Sequence, residues 1–141
     1  MPGEWVVDAS VAAKVYFLEE QTELARVVLR TADRLIAPAL FNLEMASIAA
    51  KRSRRGMSPH EVAAEAVRAA PGMIDESVPL ADLASRAFEF AVAFGFSVYD
   101  GTYLALAELR ELKLLTADLK LARRAREAGL AHLVHILGEA D

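Results

Sequence analysis

Short apolar runs of strand length alternate along the chain with longer segments in which hydrophobic residues recur at helical spacing. Such alternation predicts a parallel sheet with helices on both of its faces, the α/β class. The predicted strands are residues 5–7, 34–37, 73–78 (the weaker candidate), 112–115 and 132–137.

Residues with known positional preferences mark the predicted helix ends. Pro38 opens one helix, where its missing N–H costs little, and Gly56 closes that helix. The segment 58–61, Ser-Pro-His-Glu, predicts a helix start with Ser58 as the cap of a capping box. Residues 96–99 are predicted as a brief strand or loop. The predicted helical segments are residues 11–18, 22–30, 38–55, 59–70, 79–94, 103–109 and 119–128.

Composition limits the class of protein. With 141 residues, of which 55% are hydrophobic and 26% charged, the chain suits a single folded domain over residues 1–141. Cysteine is absent, which excludes disulfides and thiolate metal sites. No apolar run approaches the roughly 20 residues of a membrane-spanning helix, and the N-terminus lacks a signal-peptide pattern. We therefore expect a cytoplasmic protein that does not insert into a membrane.

Three aspartates stand where predicted elements meet. Asp8 follows the first strand, Asp100 opens a helix, and Asp118 follows the strand 112–115. Ligands of open α/β sheets bind outside the carboxyl ends of the strands, so we expect these carboxylates at one sheet edge. Asp8 alone is explained equally well as the N-cap of the next helix, and Ser10 is a second candidate for that cap.

Glu44 lies inside a predicted helix among apolar neighbours. A lone glutamate in a helix is usually solvated. This helix follows a strand, however, so its first turns lie near the same sheet edge, and its side chains lean towards its N-terminus. We therefore expect Glu44 to reach the cleft.

Carboxylates gathered in one cleft repel each other, and a divalent cation removes that penalty. Oxygen ligands select hard ions, Mg²⁺ or Mn²⁺, which activate water for attack on phosphodiesters. The hydroxyls of Thr116 and Ser10 could hold a carboxylate or a metal-bound water in place.

The sequence does not decide the role of its basic and aromatic clusters. Eight of the 16 Lys and Arg residues fall in two runs, which suit an RNA-backbone track or solvated helix faces. Lys14 is a candidate to point at the cleft. The aromatic residues between positions 88 and 103 suit core or dimer-interface packing better than base stacking. The basic runs are Lys51, Arg52, Arg54 and Arg55, and Lys120, Arg123, Arg124 and Arg126.

Four motifs occur in order along nearly the whole chain. They are Val7-Asp8-Ala9-Ser10, Asn42-Leu43-Glu44-Met45, Tyr99-Asp100-Gly101-Thr102-Tyr103-Leu104-Ala105-Leu106-Ala107 and Leu115-Thr116-Ala117-Asp118. Together they resemble the motifs of the PIN-domain ribonucleases, and within them the VapC-type toxins of toxin–antitoxin pairs. Gly101 stands where that family often has alanine.

The resemblance implies a PIN-like three-layer α/β/α fold with a central parallel sheet of about five strands. It implies an endoribonuclease that depends on Mg²⁺ or Mn²⁺ and acts on structured RNA, tRNA or rRNA. It also implies a homodimer and a VapB-type antitoxin that blocks the active site and binds DNA. Its acidic quartet would be Asp8, Glu44, Asp100 and Asp118, with Ser10 and Thr116 as hydroxyl helpers.

Two alternatives stay open at this point. A non-catalytic PIN-fold binding module would keep the sheet without the chemistry. A phosphoacceptor or phosphatase α/β domain also carries aspartates at strand ends, but such designs place a second acid beside the first, and the segment Asp8-Ala9-Ser10 lacks one.

Overall fold

Five parallel strands form the centre of the molecule. The structure, a computed structural model, describes residues 2–140. The strands lie in the order β3-β2-β1-β4-β5, and each neighbouring pair is parallel. The predicted parallel sheet is thus confirmed. Its strands are β1 (Glu4–Val7), β2 (Arg34–Pro38), β3 (Glu76–Val78), β4 (Leu114–Thr116) and β5 (Val134–Ile136).

Helices cover both faces of this sheet. They are α1 (Ala9–Tyr16), α2 (Thr22–Thr31), α3 (Leu40–Arg54), α4 (His60–Ala69), α5 (Ala84–Phe94), α6 (Val98–Arg110) and α7 (Leu119–Glu127), with short 3₁₀ helices at Ala70–Met73, Leu80–Asp82 and Ala131–Leu133. Among residues 2–140 no single helix is long and apolar enough to cross a membrane. Only α5 and α6 together, bent by 115° where they meet, reach that length and apolarity.

Successive residues of each strand pack on opposite faces of the sheet. Val6 and Leu114 belong to one apolar cluster, with side chains of α5, α6 and α7. Their neighbours Val7 and Leu115 belong to a second cluster, with side chains of α1 to α4. Burial on both faces explains why the strands read as continuous apolar runs, and it confirms the three-layer α/β/α architecture.

The central strand β1 marks the point where the strand order reverses. β2 and β3 extend the sheet on one side of β1, whereas β4 and β5 extend it on the other. Such a reversal opens a crevice outside the carboxyl ends of the two strands that flank it. Here these strands are β1 and β4, so Asp8 and Thr116 lie at the crevice.

The start of α4 differs from the prediction. The helix begins at His60, directly after Pro59, and has no side-chain cap. The Ser58 hydroxyl instead accepts a hydrogen bond from Arg52 Nε at 3.1 Å. The predicted capping box is therefore wrong, because a contact with the preceding helix takes up the serine oxygen.

The segment before Asp100, predicted as a strand or loop, begins a helix. Ser97 Oγ accepts a hydrogen bond from the Asp100 backbone N–H at 3.0 Å, and α6 starts at Val98 rather than at residue 103. Serine is a favoured N-cap. Of this short apolar run only Phe96 is buried, whereas Val98 and Tyr99 are exposed in the first turn of α6.

Candidate active site

Asp8 is held at the junction of β1 and α1. Its side chain is 9% exposed. Its Oδ1 accepts a hydrogen bond from the Ser10 backbone N–H at 3.1 Å, which makes Asp8 the N-cap of α1. Its Oδ2 accepts one from the Thr116 hydroxyl at 2.7 Å. Asp8 therefore has both of the roles considered from sequence: it caps the helix and it lies at the crevice.

Thr116, at the end of β4, ties the two turns of the crevice together. It is fully buried. Besides donating to Asp8, its hydroxyl oxygen accepts a hydrogen bond from the Asp118 backbone N–H at 3.0 Å. Asp118 Oδ1 accepts one in turn from Leu121 N at 3.1 Å and caps α7. One threonine hydroxyl thus sets the position of two carboxylates.

Ser10 strengthens the same connection from the other side. Its hydroxyl oxygen accepts a hydrogen bond from the Ala117 backbone N–H at 3.0 Å. The expectation that Ser10 caps α1 is therefore wrong, because Asp8 occupies that position. Ser10 instead joins the β1–α1 turn to the β4–α7 turn.

Glu44 and Asp100 approach the crevice from helices. Glu44 lies in the second turn of α3 and Asp100 in the first turn of α6. The packing of α6 on α5 is tight beside Asp100, since a Cβ at Gly101 would stand 2.8 Å from the Ala87 carbonyl oxygen. Glycine at position 101 therefore allows a closer approach of the two helices than alanine would.

The four acids line one cavity of about 240 Å³. Asp8 is buried, Glu44 and Asp100 are half-buried, and Asp118 is exposed. The sequence-predicted residue Ser10 also lines the cavity, whereas Thr116 does not line it and contacts the lining residue Asp8. Residues not singled out as site residues contribute as well: Ala9, Ser47, Ile48, Lys51 and Tyr103.

Burial and mutual repulsion raise the pKa values of three of these carboxyls, Asp8, Glu44 and Asp100. The pKa of Glu44 rises to about 7, chiefly through burial, with smaller contributions from Asp8 and Asp100. Burial also raises the pKa of Asp8, to which the charges of Asp118 and Asp100 add. The pKa of Asp100 is raised by burial and by Asp118, and Arg124 offsets this in part. The cavity therefore holds negative charge that the protein neutralises only in small part.

Tyr103 is a polar member of the site that the sequence analysis assigned to packing. Its side chain is 2% exposed, and neither its hydroxyl nor the buried Glu44 Oε1 meets hydrogen-bond geometry with another group of the described chain. Burial raises the pKa of the phenol, so it stays protonated. Tyr103 follows Asp100 by three residues on one helix, and this spacing was the sequence feature that could have placed it beside the acids. The cavity thus contains a buried phenol donor beside the Glu44 carboxyl, close enough to lower the pKa of that carboxyl in part.

The donor set fits a hard divalent cation by its chemistry. Four carboxylates supply only oxygen ligands, as Mg²⁺ and Mn²⁺ prefer, and one of these oxygens, Glu44 Oε1, is buried in the cavity wall. Within residues 2–140 no three carboxylate or imidazole groups already stand close enough together to enclose an ion. The fit therefore rests on the kind of donors in the cavity and on their uncompensated charge.

Several basic residues that the sequence placed near the cleft have structural partners. Lys14 Nζ donates to the Glu20 carbonyl at 2.9 Å, so the expectation that it points at the cleft is wrong. Arg52 lies 3.6 Å from a Glu19 oxygen and stacks on the ring of Phe17. In the second run, Arg126 pairs with Glu139 at 2.7 Å, and Arg124 donates to the Gly95 carbonyl. Each predicted basic track is thus partly structural.

Comparison with known proteins adds independent information. The family model described as PIN domain matches residues 5–127. Ribonuclease VapC3 of Pyrobaculum aerophilum is 34% identical in an alignment of 128 positions that covers 84% of this chain and 92% of that protein. A toxin–antitoxin complex from Klebsiella pneumoniae has a chain with a TM-score of 0.69 and 18% identity, over 96% of this chain and 99% of that one. Mycobacterium tuberculosis VapC20, a sarcin-ricin loop cleaving toxin, has a TM-score of 0.67 and 17% identity, over 87% and 94%. The two solved structures share the fold.

Proposed function

The chain belongs to the PIN-domain family, and we propose that it is a divalent-metal-dependent endoribonuclease of the VapC type, the toxin of a toxin–antitoxin pair. The observation that carries this proposal is the convergence of four carboxylates in one cavity where the strand order reverses. The ribonuclease relative, which the chain matches over most of its length, supports the same reaction class.

Asp8, Glu44, Asp100 and Asp118 would hold the ion, Mg²⁺ or Mn²⁺. When bound in such a site, an ion of this kind supplies an activated water and neutralises charge on a phosphodiester. The raised pKa values of the half-buried Glu44 and Asp100 support this assignment, because unpaired acids in a cleft are typical of functional sites.

The surrounding residues orient these acids. The Thr116 hydroxyl, which donates to Asp8 at 2.7 Å, keeps one carboxylate oxygen in a fixed direction. Ser10 holds the β4–α7 turn against the β1–α1 turn. The Tyr103 hydroxyl is a protonated donor at the wall of the cavity, beside Glu44. Such fixed surroundings reduce the reorganisation that a reaction requires.

The proposal extends to substrate and partners. We propose structured RNA, tRNA or rRNA, as substrate, a VapB-type antitoxin as partner, a homodimer as the assembly, and the cytoplasm as the location. One structural neighbour is a toxin–antitoxin complex and another is named for cleavage of an rRNA loop, which supports the antitoxin and the RNA. Exposed apolar side chains on α5, Phe88 at 62% and Val92 at 71%, support a protein contact there.

The test is cleavage of total tRNA and rRNA by purified, antitoxin-free protein with Mn²⁺, with Mg²⁺ and with EDTA. We expect discrete products that require the metal and that disappear in the Asp100→Asn variant. Circular dichroism establishes that both proteins are folded. If folded wild-type protein cleaves no RNA with either metal, the nuclease proposal is wrong and a non-catalytic binding module takes its place.

A further inference from the structure

One face of α3 continues the acidic cavity towards solvent. The α3 residues that line the cavity are Glu44, Ser47, Ile48 and Lys51. Their spacing of three, four and seven residues from Glu44 places them in one stripe along the helix. Glu44 is half-buried, whereas Lys51 is exposed, so Lys51 lies at the outer end of this stripe.

Lys51 has no structural partner, in contrast to Lys14, Arg52 and Arg124. Lys14 and Arg52 are bound to the segment after α1, and Arg124 donates to the Gly95 carbonyl. In the part of the chain that the structure describes, no carboxylate lies within ion-pair distance of Lys51, and its ammonium makes no hydrogen bond. Its free ammonium group is therefore available to a ligand.

The position of Lys51 matters because of the charge around it. It is the one cation among the described residues that line the cavity, which otherwise carries four carboxylates. The whole chain has a net charge of −4. A polyanion that enters this cavity is repelled unless cations meet its phosphates. An ion held by the acids would neutralise one phosphate. The adjacent phosphates of the same strand would still lack a cationic partner.

We propose that Lys51 binds an RNA phosphate next to the one that is cleaved and so positions the substrate over the acidic cavity. This inference rests on the proposed endoribonuclease function. Lysine offers a compact charge on a flexible stem, which suits contact with a backbone whose sequence varies. The contact therefore contributes to affinity and register on the RNA and not to the choice of base.

The test compares Lys51→Gln with Arg55→Gln in steady-state cleavage of an RNA that the wild type cleaves, at several salt concentrations. Arg55 belongs to the same basic run, is exposed and does not line the cavity, so its substitution removes an equal charge nearby. For Lys51→Gln we expect KM to rise by about five- to tenfold, kcat to stay within about twofold, and the slope of log KM against log salt to fall by about one. Arg55→Gln should match the wild type, and Lys51→Arg should recover most of the loss.

Other outcomes overturn the inference. Equal KM values and salt slopes for Lys51→Gln and Arg55→Gln would show that Lys51 makes no phosphate contact. The proposed nuclease function would be unaffected by that result. A loss confined to kcat would give Lys51 a different role at the reacting atoms. Unchanged RNA kinetics with weaker inhibition by the antitoxin would assign Lys51 to the protein partner. Failure of the wild type to cleave RNA is seen before any variant is compared, and it refutes the proposed function together with this inference.

Discussion

The two ends of the sheet carry carboxylates in opposite electrostatic states. At the amino ends of β2 and β3, Glu76 Oε1 accepts hydrogen bonds from Arg34 at 2.8 Å and from Arg110 at 3.0 Å. These arginines lower the pKa of Glu76, Arg110 most of all. At the carboxyl ends of β1 and β4, burial and like charges raise the pKa of Glu44 to about 7 and also raise that of Asp8.

This difference separates a structural use of carboxylates from the proposed functional one. Ion pairs that are open to water, such as Arg110–Glu76, add modestly to stability and anchor the last turn of α6 to β3. Unpaired acids in a cleft cost stability, and a fold retains them where their charge serves a ligand. The carboxylate at the amino ends of β2 and β3 thus stabilises the fold. The carboxylates at the other end of the sheet repel each other, and a bound cation would reduce that repulsion.

The largest expected effect comes from neutralising one acid at each end. Asp100→Asn should lower RNA cleavage by at least about a hundredfold, because it removes a proposed metal ligand. It should not lower the Tm in EDTA, because it also removes repulsion with Asp118. Glu76→Gln should do the reverse, lowering the Tm and leaving kcat and KM unchanged. Cleavage assays and thermal melts of both variants test this, and a Tm loss in Asp100→Asn with none in Glu76→Gln would contradict the comparison.

A smaller effect is expected where the site depends on a buried, uncharged hydroxyl group. Thr116→Val keeps the buried shape but leaves Asp8 Oδ2 and the Asp118 N–H without their partner. We expect it to lower the free energy of unfolding by about 1–3 kcal/mol and to reduce cleavage. The matched control Thr116→Ser keeps the hydroxyl and should retain most of the activity. Urea denaturation gives the stabilities, and equal activity losses in both variants would argue against a role for the hydroxyl.

The smallest effect is a dependence of stability on pH. The pKa of Glu44 is about 7 in the folded protein and 4.5 ordinarily, so the folded state binds its proton more tightly. The free energy of unfolding in EDTA should therefore fall as pH rises from 4.5 to about 7. The lowered pKa of Glu76 acts in the opposite sense, since its contribution is present above 4.5 and is lost as pH falls below that value.

Thermal melts across this pH range, with wild type and Glu44→Gln, measure the effect. The variant should show a flatter profile. Mn²⁺ should restore the stability of the wild type above pH 7, because it binds the deprotonated carboxylates. A wild-type profile that rises between pH 4.5 and 7 in EDTA would show that Glu44 does not carry a raised pKa.

Sequence patterns predicted most of the fold. Apolar runs located all five strands because a sheet buried on both faces requires such runs. Local helix starts were less certain, because one residue has several possible partners. Ser58 has the sequence context of a cap but contacts Arg52, and Ser10 joins the β4–α7 turn instead of capping α1. Tyr103 was assigned to packing, and only its buried hydroxyl beside Glu44 identifies it as part of the cavity.

By itself, the sequence determined the α/β class, the order of strands and helices, and the presence of acids at the ends of β1 and β4, since hydrophobic periodicity and turn chemistry are local. Tertiary structure decided which side chains meet. The reversal of strand order at β1 brings Asp8 next to Thr116, which lies 108 positions further along the chain. The tertiary structure also decided that Glu76 is paired with arginines while Glu44 has no cationic partner. The charge state of a carboxyl depends on its burial and on the charges around it.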